Sequence, residues 1–229
     1  MWALAALAAA ALAWFIVRCR SHEAPAVDLR LFSVNSFTVA AVGMGVFYVG
    51  FAIMLLGGSL FLTHVWGWNP LLAGAGFAIG PATAVASALA AGRSTLDSRW
   101  LAGLGSLAFA ATGLLWSASL ASGAFSIPAF FAGLVATGAR AGIAQTGFLA
   151  GGSSQLPADA YATGTGILNM SRQIGGAIGI ALLVATTGTS ADAASYQPAW
   201  ILMGTAGLLG AVAAVVLPRR STSAKQTAA

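Results

Sequence analysis

Long apolar runs separated by short polar connections dominate the chain. A helix needs roughly 20 mostly apolar residues to cross a bilayer, whereas a barrel strand alternates over about ten residues. The unbroken runs therefore predict an all-α fold, a polytopic transmembrane helical bundle. About seven spans are predicted, over residues 2–17, 37–63, 70–91, 100–120, 127–149, 162–187 and 198–217.

The first apolar run, residues 1–17, is predicted to be an N-terminal transmembrane helix. Its arginines follow it, and a signal peptide has the opposite arrangement; a cleaved signal is the alternative. Residues 18–36 are the longest polar connection and predict a cytoplasmic linker with an interfacial segment, because "VDLRLF" alternates apolar and charged residues. Residues 218–229 are small, polar and basic, which predicts a disordered cytoplasmic tail.

The basic residues occur in alternate connections, and cytoplasmic loops are the ones that carry an excess of Lys and Arg. They are Arg18, Arg20, Arg30, Arg93, Arg99, Arg219, Arg220 and Lys225. The connections around 64–69, 121–126 and 188–197 contain none. The pattern predicts a multi-pass protein of the cell (inner) membrane, with the N-terminus outside and the C-terminus cytoplasmic.

Four tryptophans fall at the predicted outer ends of the spans. They are Trp66, Trp68, Trp116 and Trp200. Indole rings favour the headgroup level of a bilayer, so we expect these side chains at the interface. Packing against lipid is the alternative for any one of them.

Composition excludes several classes of protein. Hydrophobic residues make up 59% of the 229 residues and charged residues only 7%, against about 25% charged in a soluble domain. The net charge of +5 is spread over single or paired residues, so no nucleic-acid partner is predicted. Because there is one cysteine and the two histidines lie far apart, neither a metal site nor a cofactor is expected. The chain shows no nucleophile with a base and no phosphate-binding loop, so it is not predicted to be an enzyme.

One polar stripe interrupts the sixth predicted span. Asn169, Arg172, Gln173 and Gly176 share a helix face, because residues three and four apart lie on the same side. A charge near mid-membrane costs several kcal/mol unless protein or water shelters it, so the stripe is predicted to face a solute pathway. The alternative for Arg172 is a structural role in which its side chain reaches the cytoplasmic side.

Two glycine pairs accompany the polar positions. Gly175 and Gly179, with Gly176 beside them, predict close approach of a neighbouring helix. Gly138 and Gly142 form a second pair.

The second glycine pair brackets Arg140, near the middle of the fifth span. We expect Arg140 in the pathway or in an ion pair there. A structural pair with a carboxylate of another chain or domain, or neutral drift, are the alternatives. Gln145 and Tyr48 are weaker candidates for lining the pathway.

The acidic residues all fall in predicted connections or at the edges of spans. They are Glu23, Asp28, Asp97, Asp159 and Asp192. A proton-coupled transporter needs a buried titratable group, so the chain offers no evident proton carrier.

Several stretches together resemble one known family. They are "PAVDLRLFSVNSF", "GWNPLLAGAGFAIGPA", "GRSTLDSR" and "GTGILNMSRQIGGAIGIAL". Their order is similar to the C-terminal half of a major facilitator superfamily transporter, of the fourteen-helix drug:proton antiporter branch. The resemblance implies that residues 37–217 form a six-helix C-terminal half-domain, preceded by one extra helix.

The resemblance also implies a function. It is proton-coupled efflux of small amphipathic molecules or drugs by alternating access, with the lipid bilayer, a small-molecule substrate and protons as partners. An N-terminal half-transporter, or a second copy of the chain, would complete the transporter. The alternative is a truncated or accessory membrane protein with no transport activity by itself.

The sequence departs from the family pattern in three places. The N-terminal domain, which carries the family's proton-linked carboxylate, is missing. The cytoplasmic loop keeps the family's charge types but not their spacing, at Gly92, Arg93, Asp97 and Arg99. "GFAIGP" resembles a motif of the missing half, so we interpret Gly80–Pro81 as a bend in a helix.

Overall fold

The computed structural model describes residues 29–120, 126–188 and 192–217, with a few isolated positions between residues 6 and 18. Every regular element in these residues is helical, as predicted. The predicted first span, 2–17, lies largely outside the described residues, and so does most of the linker, 18–36. The predicted tail, 218–229, lies wholly outside them.

Seven α-helices follow one another along the described chain. They are α1 (Asn35–Leu60), α2 (Pro70–Phe77), α3 (Ile79–Gly92), α4 (Ser98–Ser119), α5 (Ile127–Ser153), α6 (Tyr161–Thr187) and α7 (Gln197–Val215). A π-helical turn, Phe61–Val65, continues α1, and 3-10 turns cover Leu29–Ser33, Ala158–Ala160 and Ala193–Tyr196. Taken with these turns, and with α2 and α3 as one span, six helical segments are long and apolar enough to cross a membrane. The predicted spans from residue 37 onward are thereby confirmed as helices of spanning length.

Local sequence signals explain where two of the helices begin. The Asn69 side chain accepts a hydrogen bond from the Leu72 backbone N–H at 2.8 Å, just before α2. The Ser126 side chain accepts one from the Ala129 N–H at 3.4 Å, just before α5. In each case a proline occupies the first turn, where its missing N–H costs nothing.

The span from Pro70 to Gly92 is two helices rather than one. Helices α2 and α3 meet at Ala78, and Pro81 lies in the first turn of α3. Proline has no N–H to donate to the residue four positions earlier, so the helix is interrupted close to it. The interruption lies at Ala78, two residues before the bend predicted at Gly80–Pro81.

The helices form two layers. Helices α3, α5, α1 and α6 stand side by side in that order, and α4 and α7 lie behind α5 and α1. At one end of the bundle, which we call the arginine end, the Ser36 hydroxyl donates to Gln155 Oε1 at 3.2 Å. At the opposite end, the tryptophan end, Gln197 Nε2 donates to the Ser117 carbonyl at 3.4 Å. The start of α1 and the end of α5 therefore lie at the arginine end, and the end of α4 and the start of α7 lie at the tryptophan end. Successive spans thus run in opposite directions.

An aromatic core fills the tryptophan end. The Trp116 ring stacks on Phe130 with centroids 4.9 Å apart and meets Trp200 edge-on at 5.1 Å. Trp116 and Trp200 are 3% and 0% exposed. The expectation that these two rings lie at the lipid headgroups is therefore wrong, because they pack between helices inside the bundle.

Candidate functional site

Three polar side chains from three helices meet on one side of α1. The Tyr48 hydroxyl of α1 donates a hydrogen bond to Gln145 Oε1 of α5. The Arg172 guanidinium of α6 lies over the Tyr48 ring, 5.3 Å from its centroid. All three side chains are half-buried. We call Tyr48, Gln145 and Arg172 the polar cluster.

The polar cluster lies well inside the span rather than at its edge. Tyr48 is 13 residues from the start of α1, Arg172 is 11 from the start of α6, and Gln145 is eight from the end of α5. At 1.5 Å per residue these positions are about 12 to 20 Å from the arginine end. The depth explains why the charged group rests on an aromatic face, which attracts a cation in a poorly hydrated place.

Neighbouring aromatic rings hold the tyrosine in position. Phe51 meets the Tyr48 ring edge-on at 5.2 Å, and Phe47 meets it at 5.9 Å. Phe47 is buried and packs against Phe109 of α4 at 4.9 Å. Phe51 is half-buried and borders the polar cluster, and it was not among the residues predicted from the sequence to line the pathway. Its spacing of three residues from Tyr48 was the available signal.

The rest of the predicted stripe continues along α6 beside Arg172. Asn169 and Gln173 are exposed, and Asn169 Nδ2 donates to the Thr165 carbonyl of its own helix at 3.2 Å. A Cβ atom added to Gly176 would lie 4.0 Å from Ala52 of α1, which is ordinary contact. The stripe therefore runs from the polar cluster to the open face of the bundle.

The two glycine pairs lie where backbones come closest. A Cβ atom on Gly175 would lie 2.0 Å from the Gly45 carbonyl oxygen of α1. A Cβ atom on Gly179 would lie 2.3 Å from the Val49 carbonyl oxygen of the same helix. On α5, a Cβ on Gly138 would meet the Gly80 carbonyl oxygen at 2.2 Å.

Its partner Gly142 is equally close to α3, at 2.1 Å from the Ala84 carbonyl oxygen. Only glycine permits helices to approach so closely, so these pairs set how α6 meets α1 and how α5 meets α3.

Arg140 lies apart from the polar cluster. It is exposed, and it lines a groove between α3, α4 and α5. Five residues separate it from Gln145, which turns the two side chains about 140° apart on α5. The structure therefore brings together Tyr48, Gln145 and Arg172 but not Arg140.

The connection between α3 and α4 holds the predicted cytoplasmic-loop residues. Gly92 ends α3, Arg93 follows it exposed, and Asp97 directly precedes α4. The Arg99 guanidinium lies over the Trp100 ring at 4.9 Å, and its Nε is buried with no hydrogen-bond partner in the described part of the chain.

The chemistry of the polar cluster is that of a cation beside aromatic rings and an amide. The acids that the structure describes, Asp97, Asp159 and Asp192, all lie at helix ends. Residues 29–120, 126–188 and 192–217 contain no group of His, Cys, Asp and Glu that could hold a metal ion. The cluster can bind an anionic or polar group and stack against an apolar one.

Comparison with protein-family models and with curated proteins finds no match for this sequence.

Replacing Tyr48 by phenylalanine tests the link between α1 and α5. The change removes the hydroxyl that binds Gln145 but keeps the ring under Arg172, so we expect the free energy of unfolding to fall by about 1 kcal/mol. Thermal unfolding of the purified protein in detergent measures it. A double-mutant cycle with Gln145→Leu is the control. Fully additive effects would show that the two side chains do not interact.

Proposed function

We propose that this chain is one six-helix half of a major facilitator-type transporter and forms one wall of a solute pathway. The complete transporter exports small amphipathic molecules in exchange for protons. The single observation that supports this most is the polar cluster, a charged and aromatic site about halfway through the span, at the junction of three helices.

The pattern of helix contacts supports the proposed architecture. The first three spans (α1, α2–α3 and α4) and the last three (α5, α6 and α7) make equivalent contacts. The contact of α1 with α6 corresponds to that of α5 with α3, and the contact of α5 with α4 corresponds to that of α1 with α7. The contacts of α4 with α7 and of α1 with α5 each join two equivalent helices, one from each group. Such a relation between two groups of three helices is expected of the inverted repeats inside each half of these transporters.

The uneven burial of the spans supports the need for a second half. In the α2–α3 span and in α6, 17% and 28% of the most apolar stretch is buried, against 39% to 50% in the other four spans. These two spans flank the row of four helices, so both present an uncovered face. A second six-helix half, either an N-terminal half or another copy of this chain, would cover them.

The position of Tyr48 supports a pathway on the open side of the row. The α1 residues that approach α7 are on another face: a Cβ on Gly50 would lie 2.9 Å from the Met203 carbonyl oxygen, and one on Gly43 would lie 2.9 Å from Ala213 Cβ. Tyr48 instead turns between α5 and α6, away from the second layer. A solute between the two halves would meet Tyr48, Phe51 and Arg172 together, an arrangement that suits an amphipathic molecule.

The proton-linked acid would come from the other half. The three described carboxylates lie at helix ends, where water and headgroups stabilise the charged form, and proton coupling needs a titratable group inside the membrane. The role we assign to Arg172 is therefore to bind the anionic or polar part of the solute, or the carboxylate of the partner half.

An efflux assay tests the proposal. Cells would express this chain together with a six- or seven-span partner encoded beside it, and loss of a fluorescent amphipathic dye would be followed. We expect efflux to require both chains and a proton gradient. Arg172→Ala should lower the rate about tenfold or more, because it removes a poorly hydrated cation from the proposed site.

Arg30→Ala is the matched control, since Arg30 is exposed in the turn before α1 and lies outside the polar cluster. It should leave the efflux rate unchanged. Efflux at the parent rate in Arg172→Ala, at equal amounts in the membrane, would show that the polar cluster is not part of the pathway. Efflux that continues without this chain would favour the accessory role instead.

A further inference from the structure

An apolar groove runs between α3, α4 and α5, on a different side of α5 from the polar cluster. Its volume is about 640 Å³, within the range of about 300 to 1,000 Å³ that is usual for ligand sites. Its walls are mostly aliphatic, with one charged side chain. The residues that matter here are Ala90, Trp100, Leu104, Ala108, Arg140 and Ile143.

The groove opens to the outside of the bundle. Leu104 is 54% exposed and Trp100 is 50% exposed, and both line it. In a membrane this face meets hydrocarbon, where an exposed guanidinium is costly unless it finds an anion or reaches the interface. Arg140 is exposed within the groove, so it needs such a partner.

Arg140 lies nearer to the ends of α3 and α4 than to the end of its own helix, which is 13 residues or about 20 Å away. Its carbonyl oxygen would lie 2.9 Å from a Cβ on Gly105, which is seven residues, or about 10 Å, from the start of α4. On the other side, a Cβ on its neighbour Gly142 would meet Ala84 of α3, eight residues or about 12 Å from the end of that helix. A long arginine side chain covers much of such a distance.

The mouth of the groove carries further positive charge. Trp100 lines the groove, and the Arg99 guanidinium lies over its ring, 4.9 Å from the centroid, in a neighbouring pocket between α4 and α7. Arg93 lies exposed in the same connection, where Asp97 is the only acid. Arg93 and the exposed Arg140, opposed by Asp97, leave the site with a net positive charge, and Arg99 adds to it from the neighbouring pocket.

We propose that this groove binds an anionic glycerophospholipid from the leaflet at the arginine end. The phosphate lies between Arg140 and the mouth of the groove, and an acyl chain lies along Leu104, Ala108 and Ile143. Charge complementarity and the apolar walls together select this occupant: basic pockets between membrane helices bind anionic headgroups, and an apolar groove open to hydrocarbon receives acyl chains. The role of Arg140 is then to hold a lipid rather than to contact a transported solute.

Lipid binding to the purified full chain tests this proposal. Detergent micelles would be supplemented with phosphatidylglycerol, with phosphatidylcholine, or with inorganic phosphate alone. Native mass spectrometry would count bound lipid, and thermal unfolding would report stabilisation. We expect phosphatidylglycerol to remain bound and to raise the unfolding temperature, with little effect of the other two. Equal effects of phosphatidylcholine, or the full effect from phosphate alone, would overturn the proposal.

Variants locate the site. Arg140→Gln should weaken phosphatidylglycerol binding about fivefold, the worth of one arginine near an anionic surface, and Arg30→Gln should leave it unchanged. Leu104→Trp should block the groove without disturbing the core, because Leu104 is half-exposed. Leu115→Trp, on the same helix at a position 66% exposed and outside the groove, is the matched control.

Unchanged binding in both Arg140→Gln and Leu104→Trp would refute the proposed site. Because purified protein is used and no transport is measured, these results stand apart from the test of the proposed function.

Discussion

Replacing Trp200 by alanine should lower the free energy of unfolding of the bundle by about 3 kcal/mol. The Trp200 side chain is fully buried and packs against Trp116, Phe61 and Tyr196 with centroids 5.1 to 6.2 Å away. Truncation leaves a cavity, and packing is what holds helices together in a bilayer, where lipid is as apolar as the core. This value is at the lower end of the range expected for replacing a buried tryptophan by alanine, because an apolar side chain gains little free energy when it moves from lipid into a protein core. Unfolding temperature in detergent, or resistance to denaturant, measures it.

Two further substitutions separate packing from other effects at Trp200. The indole N–H has no hydrogen-bond partner within the described residues, so Trp200→Phe removes no polar contact and should cost under about 1.5 kcal/mol. Trp100→Ala, at a position 50% exposed, should leave stability nearly unchanged. Similar losses in Trp200→Ala and Trp100→Ala would show that the aromatic core does not stabilise the bundle.

Alanine at Gly175 should destabilise the protein by about 2 kcal/mol, whereas alanine at the adjacent Gly176 should not. A methyl group on Gly175 would lie 2.0 Å from the Gly45 carbonyl oxygen, and a backbone atom cannot rotate away. Helices α1 and α6 would have to separate. At Gly176 the nearest atom outside the helix is Ala52 Cβ at 4.0 Å, so the new methyl group fits.

The pair is a matched control for helix propensity. Each substitution removes a glycine from the same helix, which by itself favours the helical state by up to about 1 kcal/mol. The difference in unfolding temperature between Gly175→Ala and Gly176→Ala therefore reports the helix contact alone. If both variants unfold at the same temperature, α1 and α6 do not meet at Gly175.

The spans could be predicted from the sequence because the thickness of the bilayer requires each spanning helix to have about 20 mostly apolar residues. The predicted span 127–149, for example, falls inside α5 (Ile127–Ser153). Which side of a helix is buried was harder to predict, because lipid-facing and core-facing positions are equally apolar. Trp116 and Trp200 were expected at the headgroups for this reason, although they lie between helices.

The candidate site was predictable only in part. Helical spacing placed Asn169, Arg172 and Gln173 on one face, and the structure keeps them together on α6. Spacing also fixes the angle between Arg140 and Gln145, but not which neighbour each one faces. That depends on α3 and α4 packing against α5, through contacts between residues distant in sequence such as Gly138 with Gly80.

The joint at Ala78 divides the α2–α3 span into two parts that are anchored differently. Helix α3 is tied to α5, because Gly80 and Ala84 touch the glycines of that helix. Helix α2 is held instead by aromatic contacts, Phe77 against Phe130 at 6.4 Å and, just before it, Trp68 stacked on Phe131 at 5.8 Å. Pro81 donates no backbone hydrogen bond across the joint, which removes one of the bonds that would otherwise hold α2 in line with α3. The part of this span at the tryptophan end therefore depends on the packing of side chains, and the part at the arginine end on direct contact between backbones.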